Sequence, residues 1–157
     1  FGDAEAIDLG RGYDIIASAS ELQWLAQPEV FIRRAAQMLV SDGLLLFNTF
    51  TPDNLHPIRA LTGSGLHYPA AAEWAAWLHR DYDILALEPH TITLAFDTPR
   101  DALRHLQYTG VTATNTGFVW TKQRLQHFET QYRAHHALPD GRVGLDYTPL
   151  YIAARRK

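Results

Sequence analysis

Apolar positions along the chain fall into two patterns, short unbroken runs and stripes at helical spacing, and their alternation predicts an α/β fold. Tyr13 to Ser18 is a run of the first kind, bounded by Gly12 and a Ser/Ala-rich stretch, and reads as a central buried strand. Ser20-Glu21-Leu22-Gln23 has capping-box spacing for a short helical turn, and Pro28 suits a first helical position. Phe31, Ala35, Met38 and Leu39 then share one helical face until Ser41-Asp42-Gly43 ends it. Leu44 to Phe50 is continuous and apolar, a second buried parallel strand, so that strand, helix and strand form a right-handed crossover unit.

Leu55 to Leu61 predicts a short helix and Gly63-Ser64-Gly65 a flexible break. Pro69 opens a further helix in which Ala70, Trp74, Trp77 and Leu78 share a face, and 83–96 is a long β-prone stretch interrupted by Pro89. Thr98-Pro99-Arg100-Asp101 caps a helix carrying Ala102, Leu103 and Leu106, which Gly110 terminates. Thr121 caps one more, with Leu125, Phe128 and Tyr132 on its apolar face, and Leu145 to Ala154 reads as a last strand. An α/β sheet with a covering helical flap satisfies this order. In open sheets ligands sit beyond the carboxyl ends of the parallel strands, which places the candidate chemistry around Asp3, Ser18 and Phe50.

Composition narrows the classes. At 157 residues with 20% charge the chain has the size of one globular domain and lacks a disordered composition. The absence of cysteine excludes disulfides and thiolate metal sites, and no apolar run approaches the roughly 18 residues of a membrane span. A soluble, cytoplasmic protein is expected. The net charge of −3, with the signs mixed, does not suggest nucleic acid, although the tail ends Arg155-Arg156-Lys157. None of the eight histidines pairs at the one-face spacing of a zinc helix, and His135 and His136 point apart, so no metal site is expected. The chain opens on Phe1-Gly2-Asp3-Ala4, a strand running into a turn, without an initiating methionine or signal pattern, and reads as a fragment.

Two segments carry the chemistry. Asp3, at a strand end, suits a hydrogen bond from an adenine amino group, and equally suits a solvated turn. Ser18 and Ala19 are small enough to let a ligand approach the backbone, and Gln23 and Trp24 then present an amide and an indole; Trp24 alone would read as readily as a core aromatic. The Gly-Asp-Ala turn, about ten residues, a Tyr-Asp-Ile-Ile strand and Ser-x-x-x-x-Gln-Trp together make a far more specific pattern.

That pattern resembles the middle of class I S-adenosylmethionine-dependent methyltransferases, and Leu22-Gln23-Trp24 is shared with two carboxyl-methylating families, the biotin-pathway BioC enzymes and the trans-aconitate methyltransferases. Phe47-Asn48-Thr49-Phe50-Thr51-Pro52-Asp53-Asn54-Leu55 and Leu66-His67-Tyr68-Pro69 resemble BioC, as do Leu103-Arg104-His105-Leu106-Gln107-Tyr108-Thr109-Gly110 and the terminal Leu145-Asp146-Tyr147, where Asp146 departs from the usual threonine. The resemblance implies the C-terminal half of a Rossmann-like sheet, with a helical insertion over 52–82 covering the acceptor site and a terminal antiparallel strand. The upstream Gly-x-Gly loop and the ribose-binding acid of the family do not occur in this sequence.

The implied activity is methyl transfer from S-adenosylmethionine to the carboxylate of malonyl-acyl carrier protein in the early, pimeloyl-forming part of biotin biosynthesis, with malonyl-CoA as the other carrier. Carried over, Asp3 and Ala4 meet the adenine, Ser18, Ala19, Gln23 and Trp24 line the rest of the cofactor site, and Phe50, His67 and Tyr68 border the acceptor pocket. Trp74 and Trp77 are explained better as core by their helical spacing. An acidic carrier calls for a basic rim, for which Arg59, Arg100, Arg104, Lys122 and Arg124 are candidates beside the alternative of solvated helix faces; Arg59 and Arg104 are the expected carrier or thioester contacts. Two other readings stand beside this one: a trans-aconitate-type small-acid methyltransferase, and a non-catalytic methyltransferase-like assembly or interaction module. Half a doubly wound sheet exposes an apolar edge, so self-association of the chain is expected.

Overall fold

The computed structural model describes residues 5, 7–63, 65–109 and 120–157, which divide into two units. The first unit comprises Phe1–Pro52, Tyr68–His90 and Thr148–Lys157. Its sheet contains β1 (Tyr13–Ala19), β2 (Leu39–Phe50), β3 (Tyr82–Pro89) and β6 (Pro149–Arg156) in the order β1-β2-β6-β3. β1 and β2 are parallel, as a crossover through α1 (Pro28–Met38) requires, and β6 runs antiparallel to both β2 and β3.

Period-two burial explains the layering. Leu45, Phe47 and Thr49 of β2, with Leu150, Ile152 and Ala154 of β6, face one side and are buried under Phe31, Ile32 and Ala35 of α1 and Trp74 and Leu78 of α3 (Ala71–Leu78). Trp74 is fully buried and meets Phe47 at a ring separation of 5.3 Å and Trp77 at 5.0 Å, which settles Trp74 as core and packs the half-buried Trp77 against it. The Tyr82 hydroxyl donates to Ile32 O at 3.0 Å, tying β3 to α1, and burial together with the neighbouring Asp81 carboxylate pushes its ionisation well up. The basic tail has a local role. Arg156 Nη1 donates to Leu39 O at the end of α1 and Lys157 Nζ to His79 O at the end of α3, so two cations meet two helix C-termini.

The second unit, Asp53–His67 with Thr91–Tyr147, contains α2 (His56–Thr62), a two-stranded antiparallel ladder of β4 (Ile92–Phe96) and β5 (Val143–Tyr147), α4 (Pro99–Tyr108) and α5 (Lys122–His136). Both expected caps form. Thr98 Oγ1 accepts from Asp101 N and Thr121 Oγ1 from Arg124 N, each at 3.2 Å. Ala102, Leu106, Phe128, Tyr132, Val143 and Leu145 make a second core, in which the Tyr132 hydroxyl donates to Gly144 O at 2.8 Å.

Five expectations need correction. β1 is not a central buried strand: it lies at the edge of the described sheet, with Tyr13 and Ile15 43% and 55% exposed, because β2 is its only described neighbour. β2 starts at Leu39 rather than after Gly43; it advances five residues between Tyr13↔Leu39 and Ile15↔Leu44 while β1 advances two, absorbing Ser41-Asp42-Gly43 as an irregularity with Asp42 at φ 63°. The long stretch 83–96 is two strands, β3 and β4, in different sheets, and the expected last strand is likewise two, β5 and β6. At Ser20 the helical turn is a single 3-10 turn, Leu22–Trp24, without the capping-box side-chain bond. The expected terminator of α4, Gly110, lies outside the described residues; the helix ends at Tyr108.

Candidate cofactor and acceptor site

In the first unit, the carboxyl ends of β1 and β2 are joined by a small polar network. Asn48 Oδ1 accepts from Ser20 N at 3.1 Å, and Asn48 Nδ2 donates to Ser20 Oγ at 2.7 Å, so one amide grips the backbone N–H and the hydroxyl of Ser20. Ser20 needs that grip, since its φ of 53° lies in the left-handed region that costs a non-glycine residue about 1 kcal/mol or more. The reversal at Ser20 sends the chain into the 3-10 turn, where Gln23 Nε2 donates to Ser20 O at 2.5 Å and Gln23 Oε1 accepts from the buried Thr49 hydroxyl at 3.5 Å. Gln23 is thus fixed at the strand ends, half-buried, while Ser18 and Ala19 lie beside it along a concavity of about 410 Å³ with Leu46, Asn48, Tyr151 and Ala153. Trp24, 52% exposed, is not a core aromatic.

Asp3 and Ala4, the expected adenine contacts, lie outside the described residues. Their neighbour Glu5 is anchored: its carboxylate accepts from Ala26 N at 3.0 Å and Gln27 N at 2.8 Å, just before α1, and Arg34 donates to Glu5 O and, at 2.6 Å, to Ile7 O. Glu5 therefore acts locally as a clamp on the start of α1.

The expected acceptor residues fall on both sides of a unit boundary that runs between the chain neighbours His67 and Tyr68. Phe50 and Tyr68 meet edge-to-face at 5.8 Å in the first unit, with Tyr68 only 4% exposed. His67 belongs to the second unit, where it shares a recess with His56 and Arg59. The residue range 52–82 therefore contains helices of two units, α2 in the second and α3 in the first.

Of the expected carrier contacts, Arg104 Nη1 pairs with Asp101 Oδ1 at 2.8 Å on an exposed helix face, and Arg100 pairs with Glu129, which holds its guanidinium pKa above the usual range by hydrogen bond and charge. Both are surface ion pairs, a kind of small energetic value. Arg59 is different: half-buried, it donates from Nη1 to Leu66 O at 3.3 Å. Among the described residues no group of three His, Asp or Glu side chains is placed to hold a metal, and no helix is long and apolar enough to cross a membrane.

Three participants are not singled out by the sequence. Asn48 leaves a signal there, as the one amide in the mostly apolar run Leu44 to Phe50; His56 and the Glu5–Arg34 clamp leave none, since nothing in linear spacing joins His56 to His67 or Glu5 to Arg34. In the second unit His105 Nε2 also lies 3.1 Å from the Tyr147 hydroxyl, with Phe96 against the imidazole at 5.2 Å.

The fold is that of the class I S-adenosylmethionine-dependent methyltransferases. A solved S-adenosylmethionine dependent methyltransferase from Mesorhizobium loti matches 99% of this chain and 68% of its own at TM-score 0.54 and 14% identity; the YcgJ protein of Bacillus subtilis matches 99% and 69% at TM-score 0.64, also at 14% identity. No protein-family model matches the chain. Sequence relatives are more particular. The chain is 48% identical over 155 residues to the malonyl-[acyl-carrier protein] O-methyltransferase of Porphyromonas gingivalis, covering 98% of this chain and 61% of that protein, and 44% identical over 154 residues to the protein of the same name from Haemophilus influenzae, covering 98% and 59%. It is a homologue of these proteins and spans about three fifths of the length of these two relatives.

Proposed function

We propose that this chain is part of an S-adenosylmethionine-dependent methyltransferase that esterifies the free carboxylate of a malonyl thioester, malonyl-acyl carrier protein, in the pimeloyl-forming steps of biotin biosynthesis. The observation that carries the reading is 48% identity to a relative of that name over 98% of the chain. Soluble, cytoplasmic work on a carrier-bound substrate goes with it.

The residues fit such a cofactor at the first unit's strand ends. Small side chains at Ser18 and Ala19 leave backbone accessible, and the Gln23 amide is immobilised by Ser20 and Thr49 rather than left to solvent. The cofactor supplies an electrophilic methyl on a sulfonium. A malonyl carboxylate, like other carboxylates with a pKa of roughly 4, is already ionised at neutral pH, so no general base is required of the chain. With the cofactor bound, its sulfonium would take up the S–CH₃ electron pair as the methyl passes to the carboxylate oxygen, so that no proton would have to move through the chain's residues. What the chain contributes is approach geometry and exclusion of water. Phe50 and Tyr68 are assigned to the acceptor wall in this reading, with Trp24 as an exposed ring that can face the cofactor; a ring near a sulfonium adds on the order of 1 kcal/mol.

Calorimetric titration with S-adenosylhomocysteine, on the chain and on the complete gene product, tests cofactor binding, and methyl-transfer assays on malonyl-acyl carrier protein, malonyl-CoA and trans-aconitate test the acceptor. Binding by the complete product together with malonyl-thioester turnover is the expected result. Turnover of trans-aconitate in place of the thioesters would move the protein to the small-acid class. Binding without turnover of any acid would make it an interaction module.

A further inference from the structure

Nothing in the linear sequence points to His56 or joins Arg59 to His67, yet the second unit gathers all three around one recess of about 460 Å³. Its described lining brings one guanidinium and two imidazoles together with Ala60, Leu66 and two glycines, and no carboxylate. The arginine is built in. Gly63 N donates back to Arg59 O at 2.8 Å, closing the end of α2, and Arg59 Nη1 donates forward to Leu66 O. Between them Gly65 approaches the arginine stem so closely that a Cβ there would stand 2.5 Å from both Arg59 Cγ and Cδ. Gly65, which the sequence suggests is only part of a flexible break, thus lets the loop close on the guanidinium stem, while Gly63 supplies the left-handed end of α2 at φ 65°. A cation held in this way gives up less side-chain entropy on binding an anion than a solvated one.

We propose that this recess is a binding site for a phosphate ester, the phosphate of the phosphopantetheine arm that carries the malonyl thioester. The proposal rests on the malonyl-thioester reading for the identity of the arm, and on the recess alone for the phosphate. A planar guanidinium fork flanked by two imidazole donors suits a tetrahedral oxyanion. The reacting carboxylate is the poorer occupant, because charge-assisted hydrogen bonds to arginine withdraw the electron density it must deliver to the methyl carbon. The same phosphate chemistry reaches the protein from two sources, acyl carrier protein and coenzyme A.

Titration of the complete gene product with 4′-phosphopantetheine and with pantetheine isolates the phosphate. The wild type should bind the phosphorylated arm about tenfold more tightly, a difference that high salt reduces, and Arg59→Gln should bring the two affinities close to equal. Gly65→Ala leaves every charge in place but displaces the arginine stem, and should also reduce the preference. It serves as the second variant should Arg59→Gln lose its thermal transition. Equal wild-type affinities, or a full preference surviving in folded Arg59→Gln, would overturn the site. The KM ratio of malonyl-pantetheine to malonyl-phosphopantetheine should follow the same preference, and comparing malonyl-CoA with malonyl-acyl carrier protein identifies the source. Failure of the two ideas is separable: methyl transfer without phosphate preference sinks only the recess, and phosphate preference without transfer to any malonyl thioester sinks only the parent reading.

Discussion

At the scale of single residues, Asn48 carries the most. Its amide donates to the Ser20 hydroxyl and accepts from the Ser20 backbone N–H, while Ser20 sits at a left-handed φ and receives Gln23 on its carbonyl oxygen. Removing the amide releases two hydrogen bonds of about 1 kcal/mol each, comparable with the strain they offset at Ser20. Asn48→Ala should therefore lower stability by about 1–2 kcal/mol in denaturant melts and, in the complete gene product, weaken S-adenosylhomocysteine about tenfold as the Gln23 turn loosens. Asn48→Asp keeps the acceptor for Ser20 N and a partner for Ser20 Oγ, so it should stay within a few-fold of wild type. If alanine leaves cofactor affinity untouched, the Gln23 turn does not hold the cofactor. Gln23 is visible in the sequence through its motif, but the residues that lock it come from a strand more than twenty positions away and meet it only by the parallel pairing of Ala19 with Asn48.

Elements were legible where a local rule sufficed. The helix α4 has its Thr98 cap, Pro99 at its first turn and Ala102 and Leu106 on a buried face, all readable from linear spacing, and α5 follows the same logic from Thr121. Strands were legible as apolar runs but not as sheet members, because apolarity does not say which neighbour a strand takes: 83–96 and 145–154 each divide between two sheets. The polar end of α5 makes its own prediction. Burial, and then the adjacent His135, lower the pKa of His136; His56 of α2 acts the same way, and Asp146 of β5 opposes them. A histidine whose folded pKa lies below its unfolded value takes up protons on unfolding, so its contribution is full above about pH 6.5 and is lost as pH falls through that value towards the folded pKa. Thermal melts of the chain should drop between about pH 7.5 and 5.5, the range that brackets an ordinary histidine. His136→Phe retains a ring against Tyr132, which His136 meets at 4.9 Å, and should flatten part of that drop. An unchanged pH slope in the variant would show that His136 does not carry it.

At the scale of the whole molecule, the decisive feature is the first unit's sheet, whose described helices α1 and α3 cover one face. The run Leu44–Phe50 reads as buried on both sides, yet only Leu45, Phe47 and Thr49 are deeply buried; Leu46 and Asn48 border the open concavity. Tyr151 of the same lining is 45% exposed, Ile15 of β1 and Leu85 of β3 are 55% and 53% exposed, and β1 presents an edge with no described strand beside it. Monomeric soluble proteins seldom leave so much adjoining apolar surface in water, and an open edge supplies unpaired N–H and C=O groups along the same border. The isolated chain should therefore sediment as a dimer or larger species at micromolar concentration and bind a hydrophobic dye. Replacing Ile15 with lysine puts a charge on the exposed edge without touching the core built on Trp74 and Phe47, and should shift the distribution towards monomer with the thermal transition retained. A wild-type chain that stays monomeric and melts cooperatively would mean that this face is stable in water as it stands. Association that Ile15→Lys leaves unchanged would transfer the contact from the β1 edge to the concavity floor, where Tyr151 and Leu46 lie.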